Sequence, residues 1–236
     1  MMAVSVWRGD EGSGSFERFD VPQQTNQTVL DVVSYIQHHL DPTLSYRFAC
    51  RVGMCGSCAM MVNGEPRWTC RTHVNKVMTN QALEIAPLRN LPVVKDLATD
   101  MAPFFDKWTK AEGHHHPTRS RDDDIAPIDT QAPARQVANA GIECINCAVC
   151  YAACDTVSGN ADYLGPAALQ RAWTLINDER DGGTRAVLKA ASGSGGCHNC
   201  HSQGSCSHYC PNDLDPMGAI AGLKSATARQ FLKGKI

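Results

Sequence analysis

Twelve cysteines carry the chemistry of this chain, and they fall into three runs with iron–sulfur spacing. Cys50-x4-Cys55-x2-Cys58-x11-Cys70 has the plant-type two-iron pattern. Cys144-x2-Cys147-x2-Cys150-x3-Cys154 has the bacterial ferredoxin pattern. Cys200-x2-Gln203-x2-Cys206-x3-Cys210-Pro211 repeats it with an amide where one thiol should stand. Thiolates at these gaps hold iron clusters, which pass electrons singly. No set of catalytic side chains competes with this reading.

The ligands of the two later runs follow from one rule. In two-cluster ferredoxins the fourth cysteine of each run serves the other cluster. Cys144, Cys147, Cys150 and Cys210 then hold a [4Fe–4S] cluster. Cys154, Cys200 and Cys206 are left with three thiolates, because Gln203 occupies the fourth place. An amide is a poor iron ligand beside thiolate, so a [3Fe–4S] cluster is the expected product. With fewer anionic ligands it should be the easier cluster to reduce, a suitable terminal acceptor. Cys197 is left over; a free buried thiol is the favoured reading, and completion of a fourth iron stays open. Zinc is the rival metal, but its sites pair two separated two-residue knuckles rather than one run of four. A disulfide framework fits neither the repeated short gaps nor the N-terminus, which lacks an export signal.

The chain must build the scaffold for these ligands from 236 residues, enough for two domains. Apolar content is 43% and aromatic content 6%, so bound clusters are expected to supply part of the folding free energy. A net charge of −2 with both signs interspersed argues against a nucleic-acid partner. No apolar run is long enough for a transmembrane segment, and MMAVSVWRGDEG lacks a signal-peptide core. Cysteines in this number without an export signal point to metal ligands in a reducing compartment.

Alternating residues 2–8 and 16–22 predict a hairpin around a Gly/Ser-rich turn. Thr28 is placed to cap a helix reaching about His39, with Val29, Val32, Val33, Ile36 and Leu40 at helical spacing. The first cysteines fall in the following loop, Tyr46–Cys58. Strands over 58–63 and 67–70 are joined by Asn63-Gly64, and 82–87 would close the sheet. This order fits a β-grasp ferredoxin domain. A helix over 104–110 then leads into a polar, proline-punctuated linker over about 111–139. Its His114–His116 tract is read as solvated loop, with metal binding as the rival. Helices follow over 167–177, 184–191 and 217–232, making a bacterial-ferredoxin-like core with added helices. The fold expected is α+β, with a β-grasp domain at 1–103 and a helical domain at 104–236.

The stretches SYRFACRVGMCGSCAMMVNGEPRWTC (45–70), CINCAVCYAAC (144–154), YLGPAAL (163–169) and CHSQGSCSHYCPNDLDPMGAI (200–220) resemble the iron–sulfur subunits of succinate dehydrogenases and fumarate reductases, nearer the fumarate reductase branch. The resemblance covers nearly the whole chain, with all eleven expected ligands in order. It implies a subunit held between a flavoprotein with covalent FAD and one or more membrane-anchor subunits, peripheral on the cytoplasmic face of the inner membrane. Electrons would pass singly between that FAD and a membrane quinone, while the dicarboxylate site lies on the flavoprotein. Lys224 matches a lysine that fumarate reductases place near menaquinone, the alternative being an ordinary solvated lysine. His201 would sit near the quinone head group or bond the cluster sulfurs. The chain departs from the family where Asp155 replaces a proline. It also has no tryptophan over Thr156–Asn160, which argues against a ubiquinone pocket of that design. The rival function is an electron-transfer subunit of a related soluble flavoenzyme acting on another substrate.

Overall fold

The computed structural model describes residues 1–10 and 12–234; Glu11 of the expected first turn and the last two residues lie outside that range. The chain forms two compact units, Met1–Pro103 with Ile145–Ala153, and Phe104–Cys144 with Cys154–Ile236.

The first unit is built on β1 (Met2–Gly9), β2 (Gly14–Val21), β3 (Ala59–Val62), β4 (Glu65–Trp68) and β5 (Ala82–Ala86), in sheet order β2-β1-β5-β3-β4. The alternation in β1 turns Met2, Val4 and Val6 inward. Across them lies α1 (Val29–Tyr35), whose Val29, Val32 and Val33 join the same core and which winds into a π-helical turn over Ile36–Leu40. Thr28 caps α1 reciprocally with Asp31, as its position predicted. Two further helix-start amides donate to the carbonyls of Thr69 and Thr72, tying α1 to the loop that carries Cys70.

Two details differ from the expected layout. β5 does not close an edge; it lies in the middle, parallel to β1 and antiparallel to β3. β4 begins at Glu65, directly after the Asn63-Gly64 turn, where both residues have positive φ. Pro66 is tolerated because β4 is an edge strand. The short α2 (Val74–Val77) and a ribbon of β6 (Val93–Lys95) and β7 (Ala98–Thr99) were not foreseen.

The ribbon carries Asp96, a buried carboxylate. It accepts from Gly9 N (3.0 Å) and Ser45 N (2.9 Å) and pairs with Arg8 (3.1 Å). Arg8 also reaches Asp41, Thr43 and Glu17. This knot fixes Ser45, where the first cysteine loop begins.

The remaining helices are α3 (Ala102–Lys110), α4 (Pro133–Ile142), α5 (Val149–Ala152), α6 (Asp155–Gly159), α7 (Gly165–Ile176), α8 (Thr184–Ser192), α9 (Ser205–His208) and α10 (Pro216–Leu232). The helical stretch starts earlier than its prolines suggested, since Pro133 sits in the first turn of α4, where a missing N–H costs nothing. In the second unit α7 is central, packed by α4, α8 and α10. A buried Arg135 on α4 binds Asp178 and Glu179 just past the end of α7, and Arg180 completes the cluster. Asp215 caps α10 by accepting from Gly218 N at 3.0 Å. Among the described residues no helix is long and apolar enough to cross a membrane.

Candidate metal centres

The first centre is a loop that folds its own amides onto its sulfurs. Arg51, Gly53 and Gly56 all have positive φ, which turns successive N–H groups inward. Cys50 Sγ accepts from Val52 N (3.4 Å) and Met54 N (3.3 Å), and Cys55 Sγ accepts from Cys50 N (3.5 Å). Gly56 is required sterically as well, because a Cβ there would lie 2.8 Å from the Cys147 backbone. Outside the loop, Arg51 stacks over Phe48 and donates to Ser34 on α1. Cys58 and Cys70 lie deeper, at the start of β3 and just beyond β4, joined by Thr69 donating to the Cys58 carbonyl at 2.7 Å.

The charge balance of this loop fits bound iron. Burial opposes ionisation of Cys55, but hydrogen bonds from Ser57 and the Cys50 amide bring its thiol down to about 6. Cys70 is pushed up to about 12 by burial and by Cys58 beside it. Four thiolates cannot crowd together without cations among them, and two irons supply that charge.

The second centre is assembled from separate segments of the second unit. Cys154, Cys200 and Cys206 line one cavity together with Tyr163, Gln203 and Ile220. They come from the start of α6, the loop after a short 3-10 turn at Cys197–Asn199, and α9. Cys200 Sγ accepts from Ser202 N at 3.3 Å, and the buried Tyr163 lines the same cavity, its hydroxyl's pKa raised by burial and by the nearby Cys200 and Cys154 sulfurs. Burial, then the nearby Cys154 and Cys200 sulfurs, push the Cys206 thiol up to about 11. Here too three crowded thiolates need cations among them, and the Gln203 amide beside them is a poor iron ligand.

The other cysteines have defined local settings. Cys147 and Cys150 travel with the first unit, where Asn90 Nδ2 donates to the Tyr151 carbonyl at 2.9 Å. Cys144 and Cys210 belong to the second, where Asn212 Nδ2 donates to the Glu143 carbonyl at 2.7 Å and draws their two segments together. Cys197 is fully buried, its sulfur 3.8 Å from Thr227 Oγ1, and it is not among the residues that line the three-cysteine cavity. Lys224 is no ordinary solvated lysine: its Nζ donates to the Cys200 carbonyl at 2.7 Å. His201 is exposed on the cavity rim. Tyr163 carried no functional reading in the sequence; it lies in the quoted YLGPAAL stretch, but no local pattern places it on the wall of the three-cysteine cavity. The Lys224 contact had a signal, since it lies four residues after the cavity residue Ile220.

Residues 3–106 match the family described as 2Fe-2S iron-sulfur cluster binding domain, and residues 143–215 match 4Fe-4S dicluster domain. The fumarate reductase iron-sulfur subunit of Mycobacterium tuberculosis (strain CDC 1551 / Oshkosh) is 37% identical over 242 residues, spanning 99% of this chain and 94% of the relative. The chain belongs to the family of fumarate reductase and succinate dehydrogenase iron–sulfur subunits. The succinate dehydrogenase iron-sulfur subunit of Paracoccus denitrificans is 32% identical, covering 93% of this chain and 85% of its own. A chain of the Mycobacterium smegmatis Sdh1 complex in the apo form superposes with a TM-score of 0.86 at 26% identity, covering 97% of this chain and 96% of that one. As a member of this iron–sulfur subunit family the chain is an electron-transfer component of an oxidoreductase, with one two-iron domain and one four-iron dicluster domain. Its α+β fold, a ferredoxin-type sheet domain with a helical cluster domain, is that of the family. The reading as an electron-transfer subunit of a related soluble flavoenzyme acting on another substrate is not favoured.

Proposed function

We propose that this chain passes single electrons between the FAD of a flavoprotein partner and a membrane quinone held at an anchor subunit, in a succinate:quinone or quinol:fumarate oxidoreductase. The domains at 1–103 and 104–236 divide the ligands. Cys50, Cys55, Cys58 and Cys70 hold the [2Fe–2S] cluster. Cys144, Cys147, Cys150 and Cys210 hold the [4Fe–4S] cluster, an assignment resting on sequence spacing. Cys154, Cys200 and Cys206 hold a [3Fe–4S] cluster on the quinone side. The complex sits peripherally at the cytoplasmic face of the inner membrane, held there by its partners.

When bound, the clusters supply one-electron redox chemistry, and the protein contributes their placement and surroundings. Amides directed at Cys50 and Cys55 stabilise negative charge on the outer sulfurs of the first loop. The Ser202 amide does the same for Cys200, and the buried Tyr163 walls the cavity beside it. Lys224 braces the Cys200 carbonyl and adds a cation beside it, where it can also steer a quinone oxygen; His201 offers a second polar group on the rim.

The observation that carries this reading is the cavity wall of three cysteines with Gln203 in the fourth place. Gln203→Cys supplies the missing thiol. The expected outcome is replacement of the three-iron signal by a four-iron signal, with slower quinone reduction by the assembled complex. A variant that keeps its three-iron signal would contradict the ligand register.

A further inference from the structure

The tract His114–His116 has no part in the cluster sites, yet it is not a loose loop. The end of α3 closes with two reciprocal bonds, Glu112 N to Thr109 O (3.1 Å) and Gly113 N to Trp108 O (2.9 Å). This closure needs a left-handed residue at the first position past the cap, usually glycine. Here Glu112 occupies it at φ 55, and the glycine comes one residue later. A side chain stands where the backbone would favour none.

From that point the chain bends at His114 and is then zipped to the loop after α7. His116 N donates to Asp181 Oδ2 (2.8 Å), Gly182 N to the His116 carbonyl (2.7 Å) and Thr118 N to the Arg180 carbonyl (3.0 Å). His115 pairs with Asp181 at 3.0 Å, while the rings of His114 and His116 lie against each other. Their ring centroids are 4.1 Å apart. His116 packs so tightly on Gly183 that a Cβ there would lie 2.2 Å from Nδ1, and that nitrogen has no hydrogen-bond partner among the described residues.

One ligand atom from each of Glu112, His114 and His116 lies within 4.8 Å of the others. An ion pair accounts for Glu112 with His114, 3.9 Å apart, but not for the second imidazole turned to the same point. We propose that Glu112, His114 and His116 form a three-ligand site for a divalent transition-metal cation, with solvent completing the coordination. Two imidazoles and one carboxylate suit zinc, nickel or ferrous iron rather than magnesium or calcium, which take oxygen donors. Metal bonds of about 2.1 Å let ligand atoms up to roughly 4 Å apart share one ion. Glu112 and His114 are solvent-facing and free to close the difference, while His116 is the fixed ligand. A bound cation would staple the end of α3 to the loop after α7.

The test is calorimetric titration of Ni2+ into the full chain with its clusters intact, with cluster absorbance followed in parallel. The expected result is one equivalent bound at constant absorbance. Glu112→Gly, which gives the helix end its preferred residue and so keeps the fold, should weaken binding at least about tenfold, as should His114→Ala. His115→Ala should bind within a small factor of the parent. Absence of binding, binding as tight as the parent's by Glu112→Gly or by His114→Ala, or uptake accompanied by loss of cluster absorbance, which would put the ion on the cysteines, each overturns the proposal.

Discussion

The two cysteine centres described here are positioned by opposite means. Three of the four cysteines of the first fall within nine residues of one loop, shaped by left-handed residues and pinned at its start by the Arg8–Asp96 knot. The second gathers three cysteines from separate helical segments around Tyr163. The first centre is thus a local backbone device, and the second a product of helix packing. The half-buried Arg8 and the buried Arg135 differ in the same way. Arg8 acts next to the loop it supports, whereas Arg135 binds beyond the C-terminal end of α7, and Tyr163 and the cavity lie at the N-terminal end.

The largest expected effect is the loss of one signal without the other. Cys58→Ser should abolish the two-iron EPR signal and leave the rest, and Cys206→Ser should abolish the three-iron signal and leave the two-iron one. Loss of both in either variant would mean that the units do not hold their clusters independently.

Next are the paired arginines. Arg8→Ala takes the cation from buried Asp96 and should cost about 3–5 kcal/mol, whereas Arg135→Ala leaves Asp178 paired with Arg180 and should cost about 1.5–3 kcal/mol. Thermal unfolding should show both losses. Only Arg8→Ala should also lower two-iron content in protein kept well below its unfolding temperature. Equal depletion of the two-iron cluster in both variants would remove the distinction between local and distant support.

Lys224→Ala removes one charge-assisted hydrogen bond, about 1.5–3 kcal/mol. Cluster content should be unchanged and quinone turnover by the complex reduced. Unaltered kinetics across several quinones would take Lys224 out of the quinone site.

The smallest effect concerns pH. Hydrogen bonds from Thr43 and Arg8 hold Asp41 at about 2, below its ordinary 3.8. A depressed carboxylate stabilises the fold above its unfolded value, and that contribution fades as pH falls from 3.8 through about 2. Asp41→Asn should flatten this part of the acid-unfolding profile of the first unit. An identical profile would show that Asp41 is not coupled to folding.

The first unit's hairpins, the Thr28 cap and the helices around α7 and α10 were legible because each has a local signature: alternation, a capping residue, a proline in a first turn. The central position of β5 was not, since strand order depends on pairings far apart in the chain. Pro133 misled in the other direction, because proline marks both loops and helix starts. The cysteines were legible by spacing alone. Asp96 and Tyr163 were not, because their significance lies in partners 87 and 37 residues away, Gly9 and Cys200, and nothing near them in the sequence announces those contacts.

Whether Cys154, Cys200 and Cys206 hold three irons or four is decided by low-temperature EPR of anaerobically purified protein, first oxidised and then reduced. The oxidised sample should show a three-iron signal, with two-iron and four-iron signals on reduction. An oxidised sample without that signal, and with only two-iron and four-iron species on reduction, would contradict the three-iron assignment and place another ligand on the third cluster.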